Sequence, residues 1–184
     1  MWKKCYTKYV SKVNCNSTRL QATTFNFPNG KFLLLNTYFM CDPRTIDFDE
    51  NPLLSLLEEI RLTIETSQCS NLLITGDLNA SFDRHSTFTE IIKNFFDELN
   101  LKIFWLNQDD SAEHKIGPVM YTHTHVKEGR AYFSTLDHFV GNEIVFKSVT
   151  ESGAMYSADN PSAHAPIFTK LKVNQLDVSF EEEV

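Results

Sequence analysis

Four polar clusters in this 184-residue sequence have residue types and spacing that could do chemistry. Gly76-Asp77-Leu78-Asn79 follows an apolar run. A carboxylate there could bind a metal or activate water, and the amide two positions on could donate to a phosphate oxygen. In an extended backbone, residues two apart point to one side, so Asp77 and Asn79 could serve one ligand. The same spacing also builds an Asx turn that closes a strand, and spacing alone leaves both readings open. Ser134-Thr135-Leu136-Asp137-His138-Phe139 puts Asp137 inside an apolar stretch, where a charge is costly unless paired. His138 is a poor partner for it, because neighbours on a strand face opposite ways. Asp159-Asn160-Pro161-Ser162-Ala163-His164 carries a histidine just before an apolar run. A distant Asp could orient that ring, as in a general-base dyad; alone, His164 reads as a structural histidine. His123 and His125 would share a strand face, but zinc needs three or four ligands and no third is apparent.

The elements that must position these residues are legible in part. Leu20–Phe25 and Lys31–Tyr38 read as strands joined by turn chemistry at Asn26-Phe27-Pro28-Asn29-Gly30. The unbroken apolar run Phe32–Leu35 suits a strand covered on both faces. Asn51 as N-cap with Pro52 at the first turn predicts a helix whose apolar face is Leu53, Leu57, Ile60 and Ile64. Asn71–Thr75 reads as a buried strand stopped by Gly76. Thr87 and Glu90 suggest a capping box, opening a helix with Phe88, Ile91, Ile92, Phe95, Phe96 and Leu99 on its core face. Shorter strands are expected at Ile103-Phe104, Met120–Thr124, Thr135–Val140, Glu143–Ser148 and Ala165–Lys172. Strands interleaved with helices make an α/β (α+β) chain with mixed sheets, whose working residues belong where strands end.

Hydrophobic residues are 42% of the chain and charged residues 22%, which excludes global disorder. No stretch approaches the apolar length of a membrane span, and the start lacks a signal-peptide core. The expectation is an intracellular protein, nuclear or cytoplasmic, not secreted and not membrane-bound. A net charge of -7 argues against a strongly basic nucleic-acid binder. The charge is uneven. Lys3, Lys4, Lys8, Lys12 and Arg19 open the chain, and Asp177, Glu181, Glu182 and Glu183 close it; both ends read as solvated tails. Cys5, Cys15, Cys41 and Cys69 lack metal-site spacing and read as free thiols.

Taken in order, the motifs resemble the endonuclease/exonuclease/phosphatase superfamily, and within it the endonuclease domains of non-LTR (LINE-type) retrotransposons. Asn36-Thr37-Tyr38 is similar to the family's Asn-x-Tyr. Gly76-Asp77-Leu78-Asn79-Ala80 is similar to its Gly-Asp-Phe/Leu-Asn. Tyr121-Thr122 followed by Ser134-x-Leu136-Asp137-His138 resembles its Tyr-Thr … Ser-x-Ile/Leu-Asp-His pair. Asp159-Asn160-x-Ser162-x-His164-x-Pro166-Ile167 resembles its closing motif. The likeness covers about residues 17–172, with a basic segment 1–16 before it and an acidic tail 173–184 after it.

The resemblance implies a four-layer α/β/β/α sandwich of the deoxyribonuclease I-like type, lacking its first strands, and Mg²⁺-assisted hydrolysis of DNA phosphodiesters. It implies that Asp77 positions or activates water, Asn79 and Tyr38 lie at the phosphate, Asp137 orients His164, and His164 contacts the scissile group. Thr122 and Ser134 would stand at the substrate. Two departures weigh against catalysis. The family's early Gln-Glu, whose Glu binds metal, has no counterpart before Tyr38, and Ala163 stands where the family has Asp. No metal ligand is therefore assigned, and Mg²⁺ binding is doubtful. The expectation is an N-terminally truncated, inactive remnant. Two alternatives stand beside it: an active Mg²⁺-dependent endonuclease completed by an N-terminal segment or a partner, and a noncatalytic domain binding nucleic acid or protein. An incomplete sheet would also favour self-association through its exposed edge.

Overall fold

The computed structural model describes residues 4–27, 30–42, 49–106, 115–116 and 119–172. A 3-10 turn at Lys4–Tyr9 leads into β1 (Val10–Val13), β2 (Leu20–Phe27) and β3 (Gly30–Tyr38). Then come α1 (Asn51–Ser67), β4 (Asn71–Asp77), α2 (Thr87–Glu98), β5 (Lys102–Ile103) and β6 (Lys115–Ile116). The chain continues through β7 (His123–Lys127), β8 (Arg130–Ser134), β9 (Asp137–Gly141), α3 (Glu143–Ser148), β10 (Val149–Ala154) and β11 (Ile167–Leu171).

Six strands form one sheet in the order β1-β2-β3-β4-β9-β5, three form a second in the order β11-β10-β6, and β7 and β8 make a separate hairpin. The apolar run of β3 is explained by cover on both faces. Leu33 and Leu35, with Leu72 and Ile74 of β4 and Val140 of β9, pack against Leu53, Leu57 and Ile60 of α1 and Phe88, Ile92 and Phe96 of α2. Phe32, Leu73 and Phe139 point the other way, joining Phe104, Val145, Phe146 and Val149, with Ile167 and Leu171 of β11 packed against them. Helices, first sheet and second sheet thus stack in layers around two apolar interiors. This is an α/β fold of the deoxyribonuclease I-like type.

Several local expectations change. The strand through Asn71 does not stop at Gly76; it runs on to Asp77, with Gly76 at φ 131° pairing with Thr37. The N-cap of α1 is Glu50 rather than Asn51, and Gln68 closes the helix in the left-handed region. The capping box of α2 is Ser86 with Thr89, not Thr87 with Glu90: the Ser86 hydroxyl accepts from the Thr89 N–H, and the Ser86 N–H donates to the Thr89 hydroxyl. Glu143–Ser148 is a helix, not a strand, because Asn142 accepts from the Val145 N–H and caps it. The strand expected at Met120–Thr124 begins only at His123. The basic start is no solvated tail over residues 10–13, where β1 pairs antiparallel with β2. Pro28 and Asn29 of the expected turn, and the acidic tail, lie outside the described residues.

Candidate functional site

The site grows from one rung of the six-stranded sheet. Tyr38 at the end of β3 pairs with Asp77 at the end of β4, and Asp77 pairs with Asp137 at the start of β9. Directly paired residues carry their side chains on one face, here the face that looks toward the second sheet. On the next rung, with the opposite orientation, stand Thr37, Gly76 and His138. Asp137 and His138, adjacent in sequence, are thus assigned to different faces.

Asp137 reaches His164, its Oδ2 lying 2.9 Å from the ring Nδ1. Two sets of contacts hold the pair. The hydroxyl of Thr122 accepts from the N–H groups of Leu136 at 2.8 Å and Asp137 at 2.9 Å. The same Thr122 gives its carbonyl to the Ala165 N–H and its N–H to the Ser134 carbonyl. One residue therefore ties β9, the end of β8 and the His164 loop together. Within that loop Asn160 donates from its amide to the His164 carbonyl at 2.7 Å, and the His164 N–H donates to Ser162 Oγ at 3.0 Å. Thr122 is 0% exposed, with its hydroxyl, N–H and carbonyl all engaged in these contacts. Ser134, half-buried, lies 3.4 Å from Nδ1 of His123 rather than on an open surface.

Asp77 and Asn79 do not extend side by side. Asn79 takes φ 49°, and its N–H donates to Asp77 Oδ1 at 2.9 Å, which is the Asx turn. The Asn79 amide donates one N–H to the Phe39 carbonyl at 2.9 Å. Burial pushes the Asp77 carboxyl above its ordinary range and the Asp137 charge adds to this; the Asn79 N–H and His164 act against it. Tyr38 is 51% exposed, and the Arg19 guanidinium lies 5.1 Å from its ring centroid. His138 is buried on the helix side, its Nε2 within 2.8 Å of the Ala80 carbonyl and its ring edge-on to Phe82. Burial pushes its pKa down to about 4, so it is a neutral core histidine.

Two residues beside this site went unassigned in the sequence. His123 packs its ring on His164, with centroids 4.7 Å apart. Arg19 stands beside Tyr38, which donates its N–H to the Arg19 carbonyl. The sequence signal for His123 was its spacing from His125 on one strand face, and for Arg19 its place in the basic start. Past Ala163, a shallow depression of about 390 Å³ is bordered by Tyr121, Met155, Tyr156 and Ser162. Tyr121 packs between Phe133 and Tyr156 in tilted contacts, each 4.8 Å away between centroids. A larger cavity of about 640 Å³, between Lys93, Phe96, Leu101 and Lys102, includes none of these residues.

Mg²⁺ is the ion the motifs imply, and the described residues do not fit it. Asp137 is committed to His164, Asp77 shares one oxygen with its own turn, and Ala163 offers a methyl group. Among the described residues no three His, Cys, Asp or Glu side chains are grouped to hold a metal.

No family model and no curated protein sequence matches the chain. Solved structures do. The endonuclease domain of TRAS1, a telomere-specific non-LTR retrotransposon, superposes with a TM-score of 0.65 at 17% identity, over 89% of this chain and 69% of that one. A 3′ phosphatase from Neisseria, bound to a product DNA hairpin, gives 0.61 at 16% identity, over 89% and 70%. An AP endonuclease from Archaeoglobus fulgidus gives 0.61 at 18%, over 89% and 70%. The chain therefore has the fold of the endonuclease/exonuclease/phosphatase proteins. The similarity extends alike to a retrotransposon endonuclease domain, a 3′ phosphatase and an AP endonuclease. Among the described residues no helix is long and apolar enough to cross a membrane.

Proposed function

We propose that this chain is a remnant of a DNA endonuclease domain of the retrotransposon type, which binds a nucleic-acid phosphate at the Tyr38–Asp77–Asp137–His164 end of its sheet and does not by itself hydrolyse it. The observation that carries this reading is the Asp137–His164 hydrogen bond set beside Asp77 on one rung, in a fold shared with nucleases. His164 would meet the phosphate, Asp137 would orient it, and Tyr38 and the second amide N–H of Asn79 would stand at the phosphate oxygens. The ordered motifs and the likeness to a retrotransposon domain support the origin. The poor fit to Mg²⁺ supports the loss of hydrolysis, since the metal would have to stabilise charge on the phosphate and the leaving oxygen.

A binding module that keeps its DNA surface is the second reading. The aromatic group of half-buried Tyr121 with the exposed rings of Phe133 and Tyr156 favours it, because every base can stack on such rings. Residues 17–172 would form the working unit, and an open sheet edge would let copies pair. Light scattering of the purified protein tests that pairing.

Plasmid nicking in Mg²⁺ or Mn²⁺, run beside a salt titration of duplex binding, tests the function. The expected result is no nicking above background, with binding that weakens as salt rises because phosphate contacts release counterions. Robust nicking that disappears in Asp77→Ala would establish the Mg²⁺-dependent enzyme instead. Neither nicking nor salt-sensitive binding would leave the reading without support.

A further inference from the structure

His123 and His164 come from different parts of the chain, yet their backbones meet in an isolated antiparallel bridge. Residues opposed in this way carry their side chains on one face. The rings consequently lie against each other, 4.7 Å between centroids and tilted by 56°. His164 turns its Nδ1 to Asp137, and His123 turns its Nδ1 to Ser134 Oγ. Among the described residues neither Nε2 has a protein partner.

Two imidazoles beside one carboxylate are a poor resting place for two protons, because the first positive charge opposes the second. Partial burial and the neighbouring His164 hold His123 below the usual imidazole range; Asp137 pulls the other way, and His125 adds to the depression. One carboxylate thus faces two rings that could each carry a charge. A dianion set against both Nε2 atoms would supply the missing negative charge and make the second protonation favourable. A phosphate monoester is such a group at neutral pH, with a second pKa of about 6. An internal diester carries a single charge and balances one ring at most.

We propose that His123 is a second anion-binding residue of this site, clamping a terminal phosphate monoester between its Nε2 and that of His164 and taking up a proton on binding. The proposal rests on the phosphate-binding reading above and adds to it the kind of phosphate: a chain end rather than an internal linkage.

Isothermal titration of the full chain with methyl phosphate, dimethyl phosphate and sulfate tests it, in buffers of differing ionisation heat at about pH 6.5 and about pH 8. Methyl phosphate should bind about tenfold more tightly than dimethyl phosphate, the margin of one charge-assisted hydrogen bond. Sulfate, dianionic throughout, should draw about one proton onto the protein and bind about tenfold more weakly at the higher pH. His123→Phe keeps a ring against His164 and removes its nitrogens. It should weaken methyl phosphate about tenfold and abolish the proton uptake. His123→Gln should abolish the uptake as well, and it decides the matter if a thermal melt shows the Phe variant unfolded. His125→Gln, on the exposed end of the same strand face, should bind like the parent.

Unchanged monoester affinity in a folded His123 variant overturns the proposal. So does equal binding of monoester and diester by the parent chain, or no anion binding at all. If salt-sensitive duplex binding survives any of these results, the clamp fails and the nucleic-acid reading stands. If the clamp holds and duplex binding is absent, the nucleic-acid reading fails alone.

Discussion

His164 Nδ1 and Asp137 Oδ2, 27 residues apart in the chain, stand 2.9 Å from each other across the end of a sheet. The contact fixes which nitrogen carries the proton. A carboxylate only accepts, so Nδ1 must donate and the neutral ring keeps Nε2 bare. Asp137→Ala removes the acceptor while the Thr122 hydroxyl still holds the backbone N–H of residue 137. The imidazole ¹⁵N shifts of the neutral protein should then move from the Nδ1–H form toward the Nε2–H form. An unchanged tautomer would mean that the carboxylate does not orient this ring.

His138 makes stability depend on pH, and its burial fixes the sign. Its folded pKa of about 4 lies below the ordinary 6.5, so between those values the unfolded chain takes up a proton that the folded chain refuses. The stability attached to this residue is complete above 6.5 and drains as pH falls toward 4, by about 3 kcal/mol in all. Asp77, raised above its ordinary 3.8, acts in the opposite sense, strengthening the fold as pH falls through its raised value. Urea unfolding across this range should show the loss, and His138→Gln should flatten the slope between pH 6.5 and 4. A slope untouched by that substitution would place the pH dependence elsewhere.

Gly76 of β4 lies directly against the Thr37 backbone of β3. A Cβ placed there would lie 2.0 Å from the Thr37 carbonyl oxygen, on a backbone at φ 131°. Neither strand can shift freely, because Tyr38 and Asp77 pair one position on. Gly76→Ala should therefore cost at least about 3 kcal/mol, combining strain with an overlap against main chain. Denaturant unfolding is the check, and a loss below about 1 kcal/mol would mean that the strand ends relax more than this packing allows.

The parts legible in the sequence were those encoded locally or by ordered motifs. The run Phe32–Leu35 announced a strand covered on both faces, and the apolar face of α2 announced a helix. Asp137 and His164 could be joined only through the resemblance, since nothing local to either residue points across 27 positions. Ile144, Val145 and Phe146 read as strand because β-branched and aromatic residues favour it, and six residues are too few for a helical period to assert itself. The Asn142 side chain settled the matter in favour of helix. β1 was missed because its stability lies in pairing with Ala22–Phe25, not in its own thin apolar content. His123 looked like a failed zinc ligand; its partner is a second histidine that only the fold brings alongside.

Ala163 offers a clean substitution because it is exposed and acts through its backbone alone. Its carbonyl accepts from the Thr124 N–H at 2.9 Å and from the Thr124 hydroxyl at 3.3 Å. Ala163→Asp should leave stability within about 0.5 kcal/mol of the parent, as exposed changes that spare such contacts usually do. Its effect is electrostatic. A carboxylate beside His164 competes with an incoming phosphate, so monoester affinity should fall about threefold or more, and the fall should shrink as salt is raised. Metal-dependent nicking should not appear. Asp137 remains engaged by His164, which leaves the new carboxylate and the partly occupied Asp77 to hold an ion that also needs ordered oxygen partners. Plasmid relaxation in Mg²⁺ and Mn²⁺ decides the point. Cleavage by Ala163→Asp that vanishes in the Asp77→Ala, Ala163→Asp double variant would mean the site lacked a single carboxylate, and that its loss of hydrolysis rests on position 163.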